Sequence, residues 1–78
     1  MTVEQLRAAR DGNPFIPFVI HMADGRAHRI PHRDYLSMSP GGRIVMIYRD
    51  EAFSMIDLLL VTELEMEAVP QTERGAAV

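Results

Sequence analysis

The sequence predicts a mainly β domain with one N-terminal helix, folded as a small, strongly bent five-stranded antiparallel barrel. Three observations predict it. The chain has 78 residues, too few for more than one domain. From Phe18 to Met66, apolar and polar side chains alternate with a period of two, as in half-buried strands. Turn residues separate the predicted strands, which are therefore short. An open sheet of such strands would leave one face and two edges exposed, whereas a closed barrel covers that face and has no edges.

The N-terminal helix is predicted over residues 3–10. Thr2 and Gln5 have the spacing of a capping box, in which each side chain accepts a hydrogen bond from the other residue's backbone N–H. Gly12 is a suitable C-terminal stop, and Pro14 prevents continuation. The apolar residues share one stripe, namely Val3, Leu6 and Ala9. Because so short a helix is unstable alone, we expect it to lie over one opening of the barrel.

The apolar pattern decides the register of the first predicted hairpin, whose loop lies near residues 23–25. In a three-residue loop over 23–25, Gly25 takes the left-handed bulge position. This loop pairs Ile20 with His28 and directs Arg29 to water, whereas a two-residue loop would put Arg29 on the buried face. Because a slip of one residue turns the whole strand inside out, we predict the three-residue loop.

Four further segments complete the predicted β structure; the first of them only briefly resumes the alternation, and a bend at 57–59 precedes the last. They are residues 36–38, 43–48, 53–56 and 60–66. The last strand directs Glu63, Glu65 and Glu67 to solvent. The sequence therefore predicts a single domain over residues 1–68, followed by a disordered tail over residues 69–78.

Composition and charge exclude several classes of protein. No cysteine is present, which rules out disulfides and agrees with a reducing compartment. The chain begins without a secretory signal, and its longest apolar stretch, 58–61, is far too short for a membrane helix. We therefore predict a cytoplasmic protein with no membrane contact. The net charge of −3 argues against nucleic-acid binding, because phosphate neutralisation supplies most non-specific affinity.

Neither catalysis nor a metal or other cofactor is predicted. Ser37 and Ser39 have His32 nearby in sequence, but nothing resembles the sharp strand-to-helix turn around a nucleophilic serine. His21 and His28 point to opposite faces in the preferred register. With no cysteine and no tight histidine spacing, the three histidines do not predict a metal site.

Five short runs of the sequence carry a resemblance. They are Leu6-Arg7-Ala8-Ala9-Arg10, Pro14-Phe15, Pro17-Phe18, Ala23-Asp24-Gly25-Arg26 and Asp57-Leu58-Leu59-Leu60-Val61-Thr62. In these runs the chain resembles a group of short bacterial proteins of unassigned function, over about residues 2–66. The order of one helix and five bent strands, with a short turn before the last strand, resembles the Sm-like fold among the SH3-like small barrels.

The Sm-like resemblance implies a mode of assembly and a mode of binding. It implies rings or smaller oligomers, in which the fourth strand of one subunit pairs with the fifth strand of the next. It also implies RNA contacts in the loops after the second and fourth strands. The residues of this chain that we consider for RNA contact are Arg33, Tyr35 and Arg43.

Self-association is the function that the residues favour most. The strand at 43–48 is apolar on both faces, and residues 58–61 add further apolar surface, so a thin barrel leaves some of it exposed unless the helix covers it. The predicted interface residues are Ile44, Met46, Tyr48, Leu58, Leu59 and Val61. We predict a non-enzymatic, homo-oligomeric binding or scaffold module. The alternative is an Sm-like RNA-binding protein that acts through a ring face.

Overall fold

The computed structural model of the protein describes residues 1–67, which form one helix and six strands. These elements are α1 (Val3–Arg10), β1 (Phe18–Met22), β2 (Ala27–Ile30), β3 (Leu36–Met38), β4 (Ile44–Arg49), β5 (Ala52–Asp57) and β6 (Val61–Met66). Two 3₁₀ turns, Arg33–Tyr35 and Leu58–Leu60, precede β3 and β6. Residue 68 of the predicted domain and the predicted disordered tail, 69–78, lie outside the described residues.

Helix α1 begins at the predicted capping box. The backbone N–H of Thr2 donates to Gln5 Oε1 at 2.9 Å, and the backbone N–H of Gln5 donates to Thr2 Oγ1 at 3.2 Å. Asp11 caps the other end, so Gly12 occupies the position just past the helix. Leu6 is fully buried and anchors α1 on the strands. Within residues 1–67, no helix has the length and apolar character needed to cross a membrane.

The six strands form two antiparallel sheets of three strands each. The strand order is β2-β1-β6 in the first sheet and β3-β4-β5 in the second sheet. The mainly β fold with one helix is confirmed, but the described strands do not close, so the five-stranded barrel is not confirmed. Six strands are present where the sequence predicts a five-stranded barrel, because the brief segment at 36–38 forms a strand of its own, β3. Pro31 and the Arg33–Tyr35 turn separate it from β2.

The predicted register of the β1–β2 hairpin is confirmed. Phe18 lies opposite Ile30, and Ile20 lies opposite His28. Gly25 has a φ of 92°, in the left-handed region that glycine adopts without a Cβ clash. Phe18, Ile20 and Ile30 are all fully buried, so the pairing keeps one face of the hairpin in the core.

A single apolar core joins both sheets to α1. Its buried residues are Leu6, Phe18, Ile20, Met22, Ile30, Leu36, Val45, Ile47, Ile56, Leu58 and Val61. Each strand contributes at least one of them, and no polar or charged residue among residues 1–67 falls in the buried class. Removal of apolar surface from water, at roughly 25 cal/mol per Å², is therefore what holds the sheets together.

Gly42 lets α1 approach the turn between β3 and β4. Its φ is 78°, and a Cβ at this position would lie 2.7 Å from Val3 Cγ2. We expect Gly42→Ala to lower the free energy of unfolding by about 1–3 kcal/mol, because it adds backbone strain and displaces the helix. Urea unfolding followed by circular dichroism measures the loss.

Gly25→Ala is the matched control for that variant. Gly25 also has a positive φ, but no atom lies within 4 Å of its ideal Cβ. Only backbone strain remains, so we expect a loss of about 1 kcal/mol. Equal losses in the two variants would contradict close packing of α1 against the turn.

Candidate self-association surface

The outward surface of the second sheet is apolar. In β4, Val45 and Ile47 are buried in the core, so the alternate residues of this strand face away from it. The same alternation holds in β5, because Ile56 is buried opposite Val45. We call the resulting outward surface the β4–β5 face, and its apolar residues are Ile44, Met46, Tyr48, Phe53 and Met55.

Cross-strand pairs make the β4–β5 face continuous. Tyr48 lies opposite Phe53, and Met46 lies opposite Met55. The exposed fractions are 39% for Tyr48 and 47% for Ile44, and they rise to 58% for Phe53 and 66% for Met55. Side chains directly opposite one another in an antiparallel pair are in contact range. A contiguous exposed apolar patch of this kind marks an interaction surface.

The polar groups at the rim of the β4–β5 face are paired with one another. Arg43 donates from Nε and Nη2 to the two carboxylate oxygens of Asp57, at 2.9 and 3.1 Å. These hydrogen bonds, with a further one from the backbone N–H of Leu59, lower the pKa of the Asp57 carboxyl group. On the β3 side, the hydroxyl groups of Ser37 and Tyr48 are 3.0 Å apart. At these two places the rim is therefore polar but locally neutral.

The structure divides the six predicted interface residues into two groups. The three in β4 lie on the β4–β5 face, and Leu59 is 66% exposed in the second 3₁₀ turn. Leu58 and Val61 are instead buried in the core, which corrects their expected exposure. The cause for Val61 is an irregularity in the pairing between His21 and Met22, which sets Val61 opposite Met22 on the core side.

Sequence reasoning missed the two most exposed residues of the β4–β5 face, Phe53 and Met55. A usable signal was present. The turn between Arg49 and Ala52 contains two residues, and the length of a hairpin loop fixes the register of its strands. That register places Phe53 beside Tyr48, on the face that points away from the core.

The outward surface of the first sheet is charged. Glu65 is exposed on β6, and its Oε1 lies 2.8 Å from His21 Nε2. Arg29 Nε donates to Glu67 at 2.6 Å, and this hydrogen bond lowers the pKa of Glu67. Exposed ion pairs add only about 0–1 kcal/mol to stability. Their main effect here is to keep this sheet hydrated, in contrast to the β4–β5 face.

Two of the three residues considered for RNA contact are engaged within the chain. Arg33 donates to the backbone carbonyl of Gly12 at 2.9 Å and lies over the Phe15 ring, 5.6 Å from its centroid. Arg43 forms the ion pair with Asp57. Tyr35 packs against the core cluster. Asp57 thus balances the charge of Arg43, while one N–H group of the Arg33 guanidinium is committed to the backbone of Gly12.

The serines and His32 considered for catalysis have other partners. The Ser37 hydroxyl group contacts Tyr48, and Ser39 Oγ accepts a hydrogen bond from the backbone N–H of Ile44 at 3.1 Å. His32 Nδ1 accepts from the backbone N–H of Asp34 at 3.3 Å. The Ser39 and His32 contacts stabilise turns at the two ends of the short strand β3, and the Ser37 contact joins β3 to β4.

The environment of the His28 ring disfavours its protonated, charged form. Its Nε2 atom is buried and has no hydrogen-bond partner within residues 1–67. Desolvation lowers the pKa of His28, and the nearby Arg26 and Arg49 lower it further, while Asp24 acts in the opposite direction. The folded chain therefore resists protonation of this ring, whereas the unfolded chain protonates near its ordinary pKa of about 6.5.

We expect the free energy of unfolding to fall as the pH drops below about 6.5, because the lowered pKa of His28 makes the folded state bind this proton less readily than the unfolded state. His28→Leu should show a smaller loss between about pH 7.5 and pH 5.5 than the natural chain, since most carboxyl groups titrate near pH 4. Urea unfolding of both proteins at the two pH values makes the comparison. Parallel losses would rule out His28 as the cause.

The described part of the chain offers an exposed face and no enclosed site. Among residues 1–67, no pocket is found, and no group of three or more His, Asp or Glu side chains is arranged to hold a metal ion. No family model, curated protein or solved structure matches the chain.

Proposed function

We propose that this protein is a non-enzymatic binding or scaffold module that works as a homo-oligomer. The observation that carries the proposal is the β4–β5 face, a contiguous apolar surface exposed on a chain of only 78 residues. An exposed apolar patch with a polar rim is typical of protein interfaces. Copies of the chain associate through this face and through the strand edges beside it.

The small size of the core supports the same proposal. A domain of about this length buries only ~60% of the surface of its unfolded chain, so its stability alone is marginal. No disulfide can compensate, because the chain lacks cysteine. Association that is specific to the folded state stabilises it by mass action. An oligomer therefore gives both a buried apolar face and a more stable fold.

An Sm-like arrangement of the two sheets is part of this proposal, together with a cytoplasmic location. What supports the arrangement is the order of elements: α1 precedes all strands, and the 3₁₀ turns at Arg33–Tyr35 and Leu58–Leu60 connect one sheet to the other. The absence of cysteine supports the location. RNA binding is not included, because Arg33 and Arg43 are engaged and the net charge is −3.

Sedimentation equilibrium over a wide range of protein concentration tests the proposal. The monomer has a mass of 8.8 kDa, so any stable oligomer is readily distinguished. We expect a multiple of this mass at micromolar concentration. A chain that stays monomeric at the highest concentration would contradict the proposal, and salt-dependent binding of short mixed RNAs would favour the RNA-binding alternative.

A further inference from the structure

Two long strand edges are free in the described part of the chain. The outermost strands are β2 and β6 in the first sheet, and β3 and β5 in the second sheet. Strands β2 and β3 have only four and three residues, whereas β5 and β6 have six each. A free edge offers unpaired backbone N–H and C=O groups to another strand, and a short edge offers few. The edges of β5 and β6 are thus the two that a partner can use.

The β5 edge lacks the features that normally prevent strand addition. The only charged residue of β5 is Asp57 at its end, where it is paired with Arg43, and the strand contains no proline. β5 pairs with β4 without a bulge. Proteins usually protect a free edge with charged side chains, proline or a bulge. The β6 edge does have such protection, because Glu63 and Glu65 are exposed along it. An unprotected edge of this length indicates a strand that is covered in the working assembly.

The hairpin fixes which backbone groups of β5 point to the free edge. Arg49 and Ala52 close the two-residue turn, and the closing pair of such a turn is a hydrogen-bonded pair. Pairs along an antiparallel ladder alternate between hydrogen-bonded and non-hydrogen-bonded. Phe53 and Met55 therefore direct their N–H and C=O groups away from β4. Their side chains lie on the β4–β5 face, where they are the most exposed apolar residues.

We propose that β5 pairs with β5 of a second copy, antiparallel and about a two-fold axis at Ser54, an inference that rests on the proposed function. In this register Phe53 of each copy lies opposite Met55 of the other, and both pairs are hydrogen-bonded. Ser54 faces Ser54 across the axis as a non-hydrogen-bonded pair. The two second sheets become one sheet of six strands, and the flanks of Phe53 and Met55 are covered.

The charges of the strands favour this pairing over the two alternatives. Pairing β6 with β6 would bring the two rows of glutamates together, and like charges directly opposite are destabilising. The Sm-like resemblance implies pairing between the strands before and after the last turn, which are β5 and β6 in this structure. That pairing would place Glu63 and Glu65 beside Phe53 and Met55. Only the β5–β5 pairing keeps charged residues out of the central pairs, since Glu51 meets Asp57 only at the ends, where Arg43 is paired with Asp57. Its two-fold symmetry closes the assembly at a dimer of sheets.

A single cysteine at the axis tests the pairing. The chain has no cysteine, so Ser54→Cys can form a disulfide only between copies. A non-hydrogen-bonded antiparallel pair has a Cα separation of about 4.5 Å, within the range that a disulfide spans. We expect mild oxidation of the full chain to give a covalent dimer. Met55→Cys and Thr62→Cys are the matched controls in β5 and β6, and we expect much slower crosslinking of both.

The outcomes separate the geometry from the proposed function. An oligomer in sedimentation with no Ser54→Cys crosslink would overturn the β5–β5 pairing and leave self-association in place. If Met55→Cys crosslinks faster than Ser54→Cys, the proposed register is wrong. If Thr62→Cys crosslinks faster than Ser54→Cys, the copies pair through the β6 edge instead. A natural chain that is monomeric in sedimentation would overturn both proposals.

Discussion

Phe18→Ala is expected to lower the free energy of unfolding by about 3–5 kcal/mol. Phe18 is fully buried and is the largest such side chain among residues 1–67. It lies in the middle strand of the first sheet, opposite Ile30 on one side and Met66 on the other. Its ring also contacts Phe15, with centroids 5.9 Å apart. Truncation removes contacts to both neighbouring strands and leaves a cavity that the small core cannot fill.

The loss expected for Phe18→Ala is a large fraction of the free energy of unfolding of the whole domain. Native domains have free energies of unfolding of about 5–15 kcal/mol, and small domains lie at the lower end. Urea unfolding monitored by circular dichroism should show a midpoint near zero denaturant, or an unfolded chain. Val19→Ala is the control, because Val19 is on the opposite face of the same strand and only half-buried. A similar loss in both variants would contradict the inward direction of Phe18.

Much of the first sheet could be predicted from the sequence because local rules decide it. The loop containing Gly25 allows two registers, and only one of them keeps Ile20 in the core while Arg29 stays in water. The capping box at Thr2 is likewise a local signal, decided by residues three apart. In both places each choice agrees with the chemistry of its immediate neighbours, which is the condition under which sequence patterns are informative.

The parts that could not be predicted depend on contacts between distant segments. Val61 is buried because the pairing of β1 with β6 changes register between His21 and Met22, and nothing near Val61 in the sequence signals this change. Whether the strands close into a barrel likewise depends on tertiary contacts, which the local sequence pattern does not specify. For the candidate surface, the sequence pattern correctly predicts that β4 is apolar on both faces. Placing Phe53 and Met55 on the outward face also requires the register of β5, which the two-residue turn after β4 sets.

Replacing Phe53 and Met55 together by glutamate is expected to weaken self-association at least about 100-fold. The change removes two apolar side chains from the proposed boundary and sets like charges opposite one another, a combination that costs several kcal/mol, and each 1.4 kcal/mol is a factor of ten. Both residues are exposed in the monomer. The free energy of unfolding of the monomer should therefore change by no more than about 0.5 kcal/mol.

Sedimentation of the Phe53→Glu, Met55→Glu variant at the concentration where the natural chain is oligomeric measures the effect. The control adds the same two charges to the first sheet, as Ala27→Glu with Thr62→Glu, at two positions that are exposed. We expect the control to remain oligomeric. Equal dissociation in both variants would point to net charge, and not the β4–β5 face, as the cause.

A charge reversal distinguishes direct contact from a general effect on the fold. Phe53→Lys with Met55→Lys should be as monomeric as the glutamate variant, because in the proposed register each lysine would face another lysine. Mixing the two variants places each new glutamate opposite a new lysine of the other copy, so we expect mixed dimers to form. Only side chains that meet across the boundary can restore association in this way. A mixture that stays monomeric would show that Phe53 and Met55 do not face each other in the assembly.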